Sequence, residues 1–303
     1  MAFRDYLATE VGEDWTDGLI SRREAIRRLV KLGLSAGAAG ALLAACAEAA
    51  RPASSVPAAS SPGSVAPASA APASARQAVG ETIRFAGPRG EVQGFLAPAT
   101  GARGGMLVIH ENRGLTDHIR SVASRLAGDG YTSLAIDLLS EEGGTAALGD
   151  TGDVSGVLAG ASTERLIGDM KSGLDELERR AAGAKLGTIG FCFGGGMVWT
   201  LLDAGDPRLA AATPFYGPAP AAPDFSGSKA AVFAVYAALD DRVNASRDRA
   251  VAGLKAAGLP HEARTYPGVD HAFFNDTGGR YNAEQAAAAY RDVLAWLERY
   301  VAG

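Results

Sequence analysis

The segment that most restricts the fold is Gly190-Phe191-Cys192-Phe193-Gly194-Gly195-Gly196. An apolar run, Leu186–Ile189, leads into it and a helix-like run, Met197–Leu202, follows. A chain that passes from strand to helix in so few residues must bend sharply. Glycines two before and two after the apex remove the Cβ atoms that would block the bend. The apex side chain then projects away from both elements, where it can meet a substrate. Here the apex is cysteine, which is either a small buried hydrophobe or a thiol nucleophile.

The remaining pattern sets this turn in a layered α/β fold. Thr82–Phe85 and Val92–Leu96 read as short strands joined through Gly87-Pro88-Arg89-Gly90, a hairpin signal. Met106–His110, Tyr131–Ile136, Lys185–Phe191, Ala211–Phe215, Ala231–Ala237 and Glu262–Tyr266 read as further strands. Several are continuous apolar runs, as expected of strands buried on both faces. Helical periodicity lies between them, with Ile119, Val122 and Leu126 on one face, and Leu166, Met170, Leu174 and Leu177 on another. Ala286, Tyr290, Val293 and Leu297 repeat the period in a last helix, 283–300. Such alternation predicts a doubly wound, mostly parallel sheet flanked by helices on both faces. Ligands in such sheets bind at the carboxyl ends of the strands.

A nucleophile at this turn needs an acid and then a histidine, in that chain order. The strand Ala231–Ala237 runs on into Asp240-Asp241. Asp240 suits the D-x-x-V ending better than Asp241, although either could simply cap the helix that starts near Ala245. Four histidines are present. His261 adjoins Pro260 at a strand start, and His118 precedes the turn, the wrong order. His271 lies on the loop after the last strand, where a mobile general base belongs.

With Cys192, Asp240 and His271 in this order, residues 82–301 resemble the dienelactone hydrolase family of the α/β-hydrolase superfamily. Val108-Ile109-His110-Glu111-Asn112-Arg113-Gly114 adds a further match. The resemblance implies an α/β-hydrolase fold and a cysteine-dependent carboxylic ester hydrolase acting on small esters or lactones through an acyl-thioester. It implies that Glu111 helps convert the thiol of Cys192 to a low-pKa thiolate; the alternative is a loop carboxylate paired with Arg113. The backbone N–H groups of Phe193 and Asn112 would bind the oxyanion. The chain departs from the family where an arginine that holds the substrate carboxylate would stand, since that position is Asn275. Arg113 and Arg280 are substitute candidates for substrate binding. A domain that has lost activity and serves as a binding or scaffold module of the envelope is the alternative function. A hydrolase of another acyl bond, thioester or peptide, is a third.

The 140–162 segment is long and rich in Gly, Ala and Asp, and reads either as a lid over the site or as an inert excursion. The N-terminus has a character of its own. Ser21-Arg22-Arg23-Glu24-Ala25-Ile26-Arg27 resembles a twin-arginine export signal, with Ala25 in place of the usual aromatic. Leu32–Ala45 follows, too short to span a bilayer and of signal-peptide character. It ends in Leu43-Ala44-Ala45-Cys46, which resembles a lipobox with Cys46 as the lipidation candidate. The alternative is a helix that opens the domain, with Cys46 incidental. Residues 47–78 are almost entirely Ala, Pro and Ser, a composition expected of a disordered tether. The expected organisation is therefore 1–46 signal and lipobox, 47–78 tether, and 79–303 hydrolase domain, in an exported envelope protein. A net charge of −5 argues against nucleic-acid binding. No metal-ligand spacing, phosphate loop or cofactor motif is present, so no cofactor and no metal are expected, and membrane contact only through the lipid. With separate roles for its two cysteines, no disulfide is expected.

Overall fold

The computed structural model describes residues 3–49, apart from Asp17 and Leu19, and residues 78–302, apart from 150–152. Most of the Ala/Pro/Ser segment expected to be a tether, residues 50–77, lies outside the described residues.

Eight strands form one sheet: β1 (Glu81–Gly87), β2 (Gly90–Ala97), β3 (Gly104–Ile109), β4 (Tyr131–Asp137), β5 (Leu186–Phe191), β6 (Leu209–Phe215), β7 (Ala231–Ala237) and β8 (His261–Tyr266). The spatial order is β1-β2-β4-β3-β5-β6-β7-β8. The β1–β2 hairpin and the β2–β4 pair are antiparallel, and every other pairing is parallel. Every residue of β3, β4, β5 and β7 is buried. Successive side chains of a strand point to opposite faces, so both faces are covered and the continuous apolar runs follow. The covering helices include α4 (Asp117–Gly128), α7 (Thr163–Arg180), α8 (Phe193–Asp203), α10 (Arg247–Ala256) and α11 (Ala283–Tyr300). Ile119, Val122 and Leu126 of α4 are buried at helical spacing, as are Leu166, Met170, Leu174 and Leu177 of α7.

The 140–162 segment holds more structure than its composition suggests. It contains a 3₁₀ turn (Ser140–Glu142) and the short helices α5 (Thr145–Leu148) and α6 (Val154–Gly160). Asp137 at the end of β4 accepts from the Thr145 amide at 2.7 Å and from its hydroxyl at 2.9 Å. The Thr145 hydroxyl oxygen accepts in turn from the Leu115 amide at 2.8 Å. Ser155 donates to the Asn112 carbonyl at 3.4 Å. The segment thus buttresses the loop that follows β3.

Three helices precede the sheet: α1 (Phe3–Thr16), α2 (Arg22–Lys31) and α3 (Ala36–Ala49). They pack on one another, and α1 and α2 also pack on α6. Leu7, Val11, Ala25, Leu29, Ala39 and Leu43 are fully buried in this layer. At Gly12 a Cβ would lie 2.6 Å from Cys46 Sγ, so α1 and α3 approach closely there. Among the described residues no helix is long and apolar enough to cross a membrane. Ser21 caps α2 by accepting from the Glu24 amide, while Arg22 and Arg23 are exposed.

Candidate active site

Cys192 stands between β5 and α8 with φ 56° and ψ −116°, a left-handed conformation that costs a non-glycine residue of order 1–3 kcal/mol. Its amide donates to Phe215 of β6 at 3.1 Å and its carbonyl accepts from Gly196 at 3.1 Å, which fixes the turn from both sides. The bend brings the start of α8 onto the neighbouring strand ends. A Cβ on Gly190 would lie 2.2 Å from the Gly194 carbonyl oxygen, and one on Gly194 would lie 2.3 Å from that of Ile109. Since backbone must yield in both cases, Gly194→Ala should lower stability by about 1–3 kcal/mol, with a correspondingly lower unfolding midpoint in urea. An unchanged midpoint would contradict this packing.

His271 lies beyond β8 and turns back over β7. Its Nδ1–H donates to Asp240 Oδ2 at 2.6 Å, and both residues are buried. Asp240 also caps the short helix α9 (Asp241–Asn244), its Oδ1 accepting from the Val243 amide at 3.0 Å. The capping role and the histidine-orienting role therefore coexist in Asp240, whereas Asp241 is exposed. Tyr216, itself at φ 35°, sets its ring 5.0 Å from the imidazole.

Glu111 and Asn112 follow β3 and are both buried. The loop is pinned by His110, whose Nδ1–H donates to the Glu111 carbonyl at 2.6 Å while Nε2 accepts from the Leu138 amide at 3.1 Å. Burial, acting against the nearby Asp137 and Glu111, holds this imidazole neutral by lowering its pKa. Its ring stacks on Phe193, so it links the two loops expected to bind the oxyanion. Glu111 does not pair with Arg113, which is exposed. Nor does it engage the thiol: Glu111 Oε2 accepts from Asn275 Nδ2 at 2.5 Å. Asn275 thus stands in the site as a partner of Glu111.

The thiol's own partners come from α1. Tyr6 Oη donates to Cys192 Sγ at 3.3 Å, and Sγ donates to Glu10 Oε2 at 3.1 Å. The same carboxylate oxygen is 3.5 Å from His271 Nε2. Glu10 Oε1 accepts from Arg242 Nη2 at 2.5 Å. Arg242 also reaches Glu13 at 3.2 Å, and Arg280 Nη1 donates to Glu13 at 3.0 Å. Asp14 and Arg113 line the same cleft, whose remaining space is about 40 Å³. Glu10, Cys192 and His271 each bring a donor atom to within 4.8 Å of one another, a grouping that could accept a divalent cation. A larger cleft of about 550 Å³, lined by Arg125, Asp129, Phe274 and Tyr290, lies apart from these groups.

This arrangement overturns the expectation of a low-pKa thiol. Burial, then the carboxylates of Glu10 and Glu111, push Cys192 well above the ordinary thiol value. Burial works to lower His271, but Glu10 and then Asp240 outweigh it and bring the imidazole to about 9. Burial raises Glu10, yet His271 and Arg242 bring it down to about 2. Asp14 is pushed up to about 7 by burial and by Glu10. His271 and Asp14 are both raised, so the stability each contributes is full below its unfolded value and lost as pH rises through its folded one. For Asp14 that window runs from the ordinary carboxyl range to about 7, and for His271 from about 6.5 to about 9. The unfolding temperature should therefore fall between pH 6.5 and 9, and Glu10→Gln should flatten the decline. A midpoint that rises over this range would contradict the charge pairing.

The profile of the Dienelactone hydrolase family matches residues 92–301. The chain belongs to the dienelactone hydrolase family. It is 31% identical over 228 residues to a Synechocystis protein provisionally named carboxymethylenebutenolidase, covering 67% of this chain and 89% of that one. A Methylorubrum extorquens protein with the same provisional name is 30% identical over 212 residues, covering 64% and 72%. A Klebsiella pneumoniae crystal structure, provisionally named a dienelactone hydrolase, superposes with a TM-score of 0.64 at 25% identity. The overlap is 73% of this chain and 99% of that one. Membership makes the chain a hydrolase from a family that acts on esters and lactones, on an α/β-hydrolase fold. The matched stretch includes Cys192, Asp240, His271 and Glu111 and leaves α1–α3 outside it. Tyr6, Glu10, His110, Tyr216 and Arg242 escaped the sequence reading. His110 lies inside the motif that supplied Glu111, and Arg242 inside the D-x-x-V ending that supplied Asp240.

Proposed function

We propose that the chain hydrolyses small esters or lactones through an acyl-thioester on Cys192. The observation that carries this reading is the strained Cys192 apex beside His271, whose other ring nitrogen is bonded to Asp240. A substrate carbonyl at Sγ would be attacked by the thiolate, with Glu111 taking the thiol proton and the oxyanion resting on the Phe193 and Asn112 amides. Collapse breaks the C–O bond, and His271 gives the leaving oxygen its proton. His271 then takes a proton from water, which attacks the thioester and releases the acid, and Glu111 returns its proton to the departing sulfur. Asp240 keeps the imidazole tautomer and stabilises its charged form. Arg113, Arg280 and Asn275 are the side chains at hand to hold a substrate's polar groups. The organisation 1–46, 47–78 and 79–303, with export to the periplasm or envelope and lipidation at Cys46, is proposed with it. It is supported by the twin-arginine-like and lipobox-like sequences and by the exposure of Arg22 and Arg23.

The test is turnover of p-nitrophenyl acetate and dienelactone by residues 79–303 and by the full chain, with and without iodoacetamide. Hydrolysis lost in step with carboxymethylation of Cys192 supports the reading. Turnover that survives complete labelling would exclude the thiol, and a folded protein inert to both compounds would favour a binding module.

A further inference from the structure

We propose that α1 is an intramolecular inhibitor: docked through Glu10 and Tyr6, it occupies the position of the substrate and keeps the hydrolase closed until it is released. The inference rests on Cys192 being the nucleophile. An ester carbonyl, and later the attacking water, must sit between nucleophile and general base. Glu10 Oε2 is in that place, 3.1 Å from Sγ and 3.5 Å from His271 Nε2. The space left, about 40 Å³, suits about one water, whereas small-molecule sites run to roughly 300–1,000 Å³.

The docking is built rather than incidental. A buried carboxylate is costly unless paired, and Glu10 is met by Arg242, His271 and the thiol together. Arg242 lies over the Tyr6 ring at 4.5 Å, and Arg280 holds Glu13 one turn further along α1. Docking also keeps the thiol from ionising, since burial and the carboxylates of Glu10 and Glu111 hold it above the ordinary thiol value. The catalytic unit does not need these helices to be whole. The Klebsiella chain, over 99% of its length, corresponds to 73% of this one, and the family match starts at residue 92. Cleavage before Cys46 would carry off Tyr6 and Glu10, so processing of the leader and opening of the site would be one event. Loss of a segment that holds a bistable state is a known form of switching.

Leu7 and Val11 are fully buried on α1 and outside the catalytic groups. In the full chain, with EDTA present to remove any bridging cation, Leu7→Asp with Val11→Asp should undock α1. Alkylation of Cys192 by iodoacetamide, read by peptide mass so that Cys46 is separate, should quicken at least tenfold. The kcat/KM for p-nitrophenyl acetate should rise by a similar factor. Glu10→Gln, which keeps the helix and removes its charge, should raise both several-fold and covers the case in which the double variant misfolds. Unchanged labelling and turnover in both variants would overturn the proposal. Faster labelling with tenfold slower turnover would also overturn it, by making α1 a donor of catalytic groups. Faster labelling with no turnover of any ester would uphold the closure and count against the hydrolytic reading of the site instead.

Discussion

Cys192→Ala is expected to lower kcat/KM for ester hydrolysis by about a thousandfold or more, while the protein unfolds at nearly the same denaturant concentration. Removing a nucleophile leaves only binding and oxyanion stabilisation to accelerate the reaction. The fold should tolerate the change because alanine keeps the Cβ, and the strained φ of 56° is held by backbone bonds to Phe215 and Gly196. The side chain lost makes its hydrogen bonds with Tyr6 and Glu10 of α1, not with the sheet. Steady-state kinetics and a urea melt check both halves. Residual activity within tenfold of the parent would place the nucleophile elsewhere.

Asp240→Asn should be comparably damaging, for a reason specific to this geometry. Its two carboxylate oxygens accept from different donors, Oδ2 from His271 and Oδ1 from the Val243 amide. An asparagine has one oxygen for two donors. If the oxygen serves Val243, the amide NH₂ faces the imidazole and selects the wrong tautomer. If it serves His271, the cap of α9 fails. The equivalent change in a serine triad costs about 10⁴ in kcat, and loss of a helix cap costs about 1 kcal/mol. The expected result is a kcat fall of roughly that size with at most a modest loss of stability. Asp241→Asn, at an exposed position, is the matched control. Comparable losses in both variants would remove Asp240 from its role.

How far the sequence reached depended on whether a feature is made locally. The inner strands were legible because burial on both faces leaves continuous apolar runs, the β1–β2 hairpin because of its glycine-bounded turn, and the ends of all eight differ from expectation by at most two residues. The Cys192 turn was legible because glycines at Gly190 and Gly194 are required by backbone contacts under 3 Å. His271 followed from chain order and Asp240 from its place at a strand end. What stayed hidden arises from long-range docking. Phe3–Thr16 is charged and carries little helical patterning, and nothing in it announces that Glu10 meets a thiol 182 residues away. The thiol's raised pKa follows from that contact and from burial, neither of which a turn motif encodes. The pairing of Glu111 with Asn275, across 164 residues, was hidden for the same reason. Within 140–162, α5 is four residues long, too short for a helical period to show.

The most direct measurement is to quench residues 79–303 during steady turnover of p-nitrophenyl acetate at mildly acidic pH and map the acyl group by mass spectrometry. A thioester mechanism requires one acetyl on the Cys192 peptide, formed at the rate of the p-nitrophenol burst and absent from Cys192→Ala. An acetyl group on a serine, or sustained turnover by Cys192→Ala with no adduct on the protein, would contradict it.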